Sequence, residues 1–271
     1  MLNKEERAFI KKNKDKLSLK EMADKLGMRA KILTKEIKRL EREHPAQPVK
    51  AGEAGKYRPG SISSSNIKKV IGCAIFIFIA TFSVYFNTME NDFIWDDEYL
   101  ILNNSQVKSF SHIDNVFKTY VGFGSENVNT FYRPLQELSN MLDYFLWGED
   151  PMGFHLTNVL LHSAFAILAF IFIFYVSANI PVAFIAALLL GVHPVNTEAV
   201  AYIAGRADSL YSIFFLLSLI SFVRYSGHII KGKNCLMLII SANIFFILAL
   251  LSKEVSLVLP LLVILYIFFL C

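Results

Sequence analysis

Three consecutive acids, Asp96, Asp97 and Glu98, lie in the stretch DFIWDDEYLILNN, just after the apolar run Val70–Phe86. Carboxylates that close to a bilayer surface are costly to keep charged unless something uses them. A sugar hydroxyl, a metal or a basic partner would each do so. Asp96 and Asp97 with a nearby His would make a poor cation site, because hard cations want more oxygen ligands than one pair supplies. No metal site is therefore expected, with a divalent ion near Asp96 and Asp97 as the alternative. Other ionisable groups punctuate the chain where apolar runs end. Tyr132, Arg133 and Pro134 follow in the first long loop, and His155, Asn158 and His162 come next. Their spacings of three and four put these last three on one helical face. His193, Asn196, Glu198, Arg206 and Asp208 form the next group, and Lys253 with Glu254 the last. His193 precedes Pro194, so its expected work is shaping a turn.

What positions these groups is a membrane body. The chain has 271 residues, 54% of them hydrophobic, including 24 Phe. That is well above the usual apolar share of a soluble protein, and several runs are long enough to span a bilayer. The net charge of +4 hides a split: residues 1–69 hold 19 Lys and Arg against 9 Asp and Glu, and residues 70–271 hold 8 against 14. A basic head on an acidic membrane body predicts a cytoplasmic amino terminus. Cys73, Cys235 and Cys271 are scattered in or beside apolar runs and form neither a disulfide framework nor a metal spacing. The first apolar run starts behind a long charged head, so it reads as a retained signal anchor.

Residues 1–43 read as a basic helix-turn-helix-like head. Leu17, Leu19, Met22, Ala23 and Leu26 recur at helical spacing, Gly27 breaks the pattern, and Ile32, Leu33, Ile37 and Leu40 resume it. Ser18 with Glu21 fits a capping box. Duplex DNA is one partner such a head can take, through Lys31, Lys35, Lys38 and Arg39, but an anionic headgroup surface or a protein is preferred. Residues 44–67 are a flexible linker rich in Pro, Gly and Ser.

Residues 68–271 are expected to hold about six transmembrane helices, near 69–88, 154–176, 181–193, 209–223, 235–251 and 255–271. Residues 89–153 form an external loop carrying 11 acids against Lys108, Lys118 and Arg133. The loop with Arg224, His228, Lys231 and Lys233 falls inside by span parity, where its charge belongs. The expected fold is all-α and polytopic. The polar groups named above fall in three external segments and so reach one side of the membrane. The chain ends within the last apolar run and is expected to be a fragment of a longer protein.

Five stretches carry a resemblance: FIWDDEYLILNN, FYRPL, GFHLTNVLLH, GVHPVNTEAVAYIAGRADSL and LLSKEVSL. The arrangement resembles the GT-C superfamily of membrane glycosyltransferases. Within it, these stretches resemble the transmembrane O-mannosyltransferases that carry tetratricopeptide repeats, and their prokaryotic relatives. The resemblance runs from about residue 70 to 271, and the HP…TEAV…GRAD block is its most specific part. The carboxyl-terminal repeats and the later spans of that family are absent here, and the head lies outside its shared pattern.

The resemblance implies a GT-C-type core that moves a hexose, mannose first, from a polyprenyl-phosphate carrier to a hydroxyl on protein or glycan, on the extracytoplasmic side. By match to the first acid of the family motif, Asp96 is the expected general base, with Asp97 second. Arg133, Arg206 and Lys253 are the expected donor-phosphate cations. Glu98, His155, Asn158, His162, His193, Glu198, Asp208 and Glu254 are candidates for the sugar pocket or its support. The partners implied are the lipid-linked sugar, the acceptor and the bilayer, which is the plasma (inner) membrane in a prokaryote. A different class of function stands beside this one: a non-catalytic membrane-anchored regulator or scaffold whose head binds DNA or protein. An inactive fragment of such an enzyme is the third reading.

Overall fold

The computed structural model describes residues 25, 27, 60, 64, 66–125, 131–230 and 235–270. The chain divides into two compact units, Met1–Lys56 and Tyr57–Cys271. The helix-turn-helix expectation for 1–43 lies outside the described residues, as does most of the 44–67 linker. In the second unit the described residues are helices, turns and loops, with no strand among them. The all-α expectation holds.

Helix α1 spans Ile67–Tyr85 and runs on through a tight 3₁₀ turn, Phe86–Glu90. Residues 89–153, expected as an external loop, fold into short helical pieces and a true helix where they are described. A π-turn covers Glu98–Leu102, α2 covers Ile113–Val116, and α3 covers Pro134–Trp147. Helix α4 follows at Pro151–Ser177. The Asp150 carboxylate accepts from the Met152 N–H, Pro151 opens its first turn, and Ala178 closes it in the left-handed conformation at φ 53°. Helix α5 is Ile180–Val192, capped by the Asn179 side chain.

Pro194 stops α5. A 3₁₀ turn at Pro194–Asn196 and helix α6 at Thr197–Ala201 carry the chain onward, bent by 48° from α5. Helix α7 spans Arg206–Ile230, α8 spans Leu236–Ser252, and α9 spans Leu259–Leu270 after a 3₁₀ turn at Glu254–Val258.

Apolar helical segments stand at all six expected places, but the count of six is not reached by length. Among the described residues three, Ile67–Glu90, Pro151–Ser177 and Ile203–Ile229, are long and apolar enough to cross a membrane, or four where the bent pair α5–α6 is counted as one span. Helix α8 and the Glu254–Phe268 segment are shorter. These spans make the chain an integral membrane protein.

The bundle packs through small residues. Ala166 and Ala169 of α4 face Ala183 and Ala187 of α5, with Val70 and Ile77 of α1 and Phe170 and Phe174 filling the seam. A Cβ on Gly191 would stand 2.6 Å from the Thr81 hydroxyl. Close backbone approach of this kind drives helix association where lipid is as apolar as the side chains.

Candidate active site

The polar groups converge on one short stretch, Tyr202–Asp208, between α6 and the first turn of α7. Gly205 lets it fold back, since a Cβ there would sit 2.5 Å from the Glu198 carbonyl oxygen. The Asn158 amide donates toward the carbonyls of Val200, Tyr202 and Ile203 at 3.1–3.4 Å. The Ala204 carbonyl accepts from the Gln136 amide at 2.9 Å. Helices α3 and α4 thus grip the same four or so residues of backbone.

Asp97 is fully enclosed, and both its oxygens are engaged. Oδ1 accepts the Ala204 N–H at 2.8 Å and Oδ2 the Ile94 N–H at 3.1 Å. Burial pushes its pKa up to about 6, partly offset by those two N–H bonds. Asp96 is half-buried beside it. Its backbone N–H donates to the Tyr202 hydroxyl at 3.1 Å, and burial together with the neighbouring Asp96 carboxylate raises the Tyr202 phenol. Trp95, between Ile94 and Asp96, adopts φ 48° and meets the Tyr202 ring edge-to-face at 5.9 Å. A left-handed bulky residue is strained. Here it turns the indole outward and Asp97 inward. Glu98 is exposed.

Arg206 is completely buried, and its donors point at protein. Nε donates to Asn158 Oδ1 at 2.8 Å, one terminal nitrogen to the Ser139 hydroxyl at 3.1 Å, and the other to the Phe154 carbonyl at 3.0 Å. That last nitrogen is also 2.6 Å from Asp143 Oδ2. In this structure, then, Arg206 presents no donor to a phosphate; it ties α3, α4 and α7 into one unit. Burial raises the Asp143 carboxyl more than the guanidinium lowers it.

Arg133 and Lys253 are the cations left near the surface. Arg133 makes a two-point pair with Glu254 at 3.1 and 2.7 Å, and its guanidinium lies 4.4 Å from the Phe131 ring. The Lys253 ammonium meets Asp208 at 2.6 Å. Because 253 and 254 are neighbours, the turn after α8 clips the start of α3 and the start of α7 together. All three polar segments are thereby joined: Asp97 and Lys253 attach only four residues of chain apart, at Ala204 and Asp208.

The histidines differ in what surrounds them. His162 bonds the Gly191 carbonyl at 3.0 Å and meets the Tyr85 ring edge-on at 5.3 Å, which fastens α4 to α5 and α1. His193 caps its turn by accepting the Val195 N–H at 3.1 Å. His155 is enclosed with neither ring nitrogen in hydrogen-bond geometry, facing the backbone of Asn91 and Asp92. Glu198 is exposed. Among the described residues no group of three or more His, Cys, Asp or Glu could hold a metal ion.

Glu137 was not legible as a site residue. It is buried, and it accepts from the Asn104 amide at 2.7 Å and the Gly122 N–H at 3.3 Å, pinning the turns at Asn104 and Gly122 onto α3. Burial raises its pKa. Its position four residues after Arg133 was the available sign. Tyr202 was also missed, although it stands inside the most specific sequence block.

The chain is similar to protein O-mannosyl-transferases. It is 37% identical over 158 residues to protein O-mannosyl-transferase TMTC1 of Mus musculus, a match covering 56% of this chain and 17% of that protein. It is 31% identical over 169 residues to TMTC3 of Homo sapiens, covering 61% and 18%. To human TMTC4 it is 33% identical over 174 residues, covering 58% and 23%. The chain thus spans about a fifth of the length of these curated relatives. No protein-family model matches the chain, and no solved structure matches it.

Proposed function

We propose that this chain carries the catalytic groups of a membrane glycosyltransferase that moves a hexose, mannose first, from a polyprenyl-phosphate carrier to a hydroxyl on protein, at the extracytoplasmic face. The observation that carries the reading is the half-buried Asp96, backed by Tyr202, on an external segment joined to Arg133 and Lys253. The similarity to protein O-mannosyl-transferases supports the reaction class.

In this reading Asp96 accepts the proton of the acceptor hydroxyl as its oxygen bonds to the anomeric carbon. The bond from that carbon to the carrier phosphate breaks, and the phosphate leaves with the bonding pair. Arg133 and Lys253 offset the charge that grows on the phosphate. Each is presently paired with an exposed or half-exposed acid, Glu254 and Asp208, which a phosphate can displace at modest cost because such surface pairs are weak. Asp97 and Arg206 act through position: one fixes the acid-bearing turn on Ala204, the other fixes the helices that carry it.

The test is transfer of radiolabelled mannose from polyprenyl-phosphate mannose to a Ser/Thr-rich peptide, with the chain in proteoliposomes. Asp96→Asn should abolish transfer while leaving the thermal midpoint unchanged. Full activity in that variant would remove Asp96 from the reaction.

A further inference from the structure

Helix α3 is inside out. Gln136, Glu137, Asn140 and Asp143 are all buried on one side, with Gln136 and Glu137 each 1% exposed. On the opposite side Leu142, Phe145 and Leu146 are 51%, 71% and 58% exposed. Their spacing of three and four makes them one stripe along the helix. An ordinary external helix faces its apolar stripe inward; this one turns it away from the protein.

The stripe does not end with α3. Phe110 lies 5.4 Å from Phe145 and is itself exposed, and Met152, in the first turn of α4, continues the surface. The turn Gly148–Asp150 between the two helices can reach at most about 10 Å. Trp147 lies so close over Gly153 of α4 that a Cβ there would overlap the indole. The carboxyl end of α3 is therefore fastened to the first turn of a 27-residue membrane-crossing helix. Phe, Trp and Leu next to such an entry point are the residues of the headgroup–acyl boundary. The acids Glu149 and Asp150 sit at the turn itself.

We infer that α3 rests on the membrane, with Leu142, Phe145 and Leu146 immersed in the outer boundary of the lipid and its polar face turned toward the protein. The occupant of this apolar face is the bilayer that α4 crosses, continuous with the lipid around that helix. The consequence is positional. Helix α3 starts beside Arg133 and holds Asp143 against Arg206, so its seat in the lipid sets the depth of the polar cluster relative to the surface. This holds whether or not the cluster transfers a sugar.

The experiment places a nitroxide on the stripe. In a background with Cys73, Cys235 and Cys271 replaced by Ser, Leu142→Cys, Phe145→Cys and Leu146→Cys are labelled one at a time in phosphatidylcholine–phosphatidylglycerol nanodiscs. Ile79→Cys on α1 and Glu149→Cys in the turn serve as lipid and water references. Accessibility to oxygen and to a nickel chelate is then read. The inference expects all three stripe sites to match Ile79, with high oxygen and low nickel accessibility. Values equal to Glu149 would show open water, and exclusion of both reagents would show cover by another protein segment or copy; either overturns it. Should a labelled variant misfold, a diazirine-bearing phospholipid cross-linked to the native chain reports the same surface. Mass-spectrometric adducts on Leu142–Leu146 are expected there, and adducts confined to the spanning helices would overturn it.

Discussion

Asp97 and Ala204, 107 positions apart, are joined by one hydrogen bond from backbone N–H to carboxylate at 2.8 Å. That bond seats the acid-bearing turn on the 3₁₀ turn just before α7 and leaves Asp96, one residue earlier, half-buried beside Tyr202. Adjacent acids that no spacing argument separates are thus given different surroundings.

Asp97 has a pH signature. Its folded pKa of about 6 stands above the usual carboxylate value of 3.8, so between those values the folded state holds more protons than the unfolded one. Stability therefore falls as pH rises through this window, and the charged carboxyl costs on the order of 3 kcal/mol above it. Lowering pH from 7.5 to 5.5 should raise the thermal midpoint of the wild-type chain relative to Asp97→Asn, as read by fluorescence-detected melting in detergent. A difference between the two that is independent of pH would refute the assignment.

Arg206→Lys keeps the charge and loses the fork. A single ammonium cannot serve Asn158, Ser139, Phe154 and Asp143 from Lys geometry. Disrupting a buried pair typically costs about 3–5 kcal/mol, so the variant should lose most of its folded yield on size exclusion. Asp143→Asn should do nearly the same, and the double variant should be no worse than either alone.

Gly205→Ala tests the fold-back of the Tyr202–Asp208 stretch. Its new methyl meets backbone at Glu198, which cannot swing away as a side chain can. A loss of about 1–3 kcal/mol is expected from overpacking, measured as a drop in thermal midpoint. Gly72→Ala, where a Cβ meets nothing within 4 Å, should be neutral.

Arg133→Gln and Lys253→Gln separate binding from folding. Their partners Glu254 and Asp208 are substantially exposed, so each loss should change stability by less than about 1 kcal/mol. Under the proposed function both should lower kcat/KM for the lipid-phosphate donor by about tenfold or more, the loss expected for a charge-assisted contact to phosphate. Unchanged kinetics in both would leave the phosphate without its proposed ligands.

The sequence by itself determined the class of molecule. Long apolar runs admit only helices in lipid, because every backbone N–H and C=O must be satisfied within its own segment. Runs beside DFIWDDE, FYRPL, HPVNTEAV and LLSKEV also told where polar groups emerge, and those segments do meet. What only tertiary structure decided is which polar groups point inward. Arg133 and Arg206 are the same residue type in comparable polar stretches, yet one keeps an exposed partner and the other is sealed among Asn158, Ser139, Phe154 and Asp143. Asp96 and Asp97 diverge likewise: past the left-handed turn at Trp95, one stays half-buried beside Tyr202 and the other is sealed against the Ala204 N–H. Helix α3 shows the limit most plainly. Its pattern names two faces, but which of them meets protein depends on the buried partners Ala204, Arg206 and Asn104, supplied from distant parts of the chain.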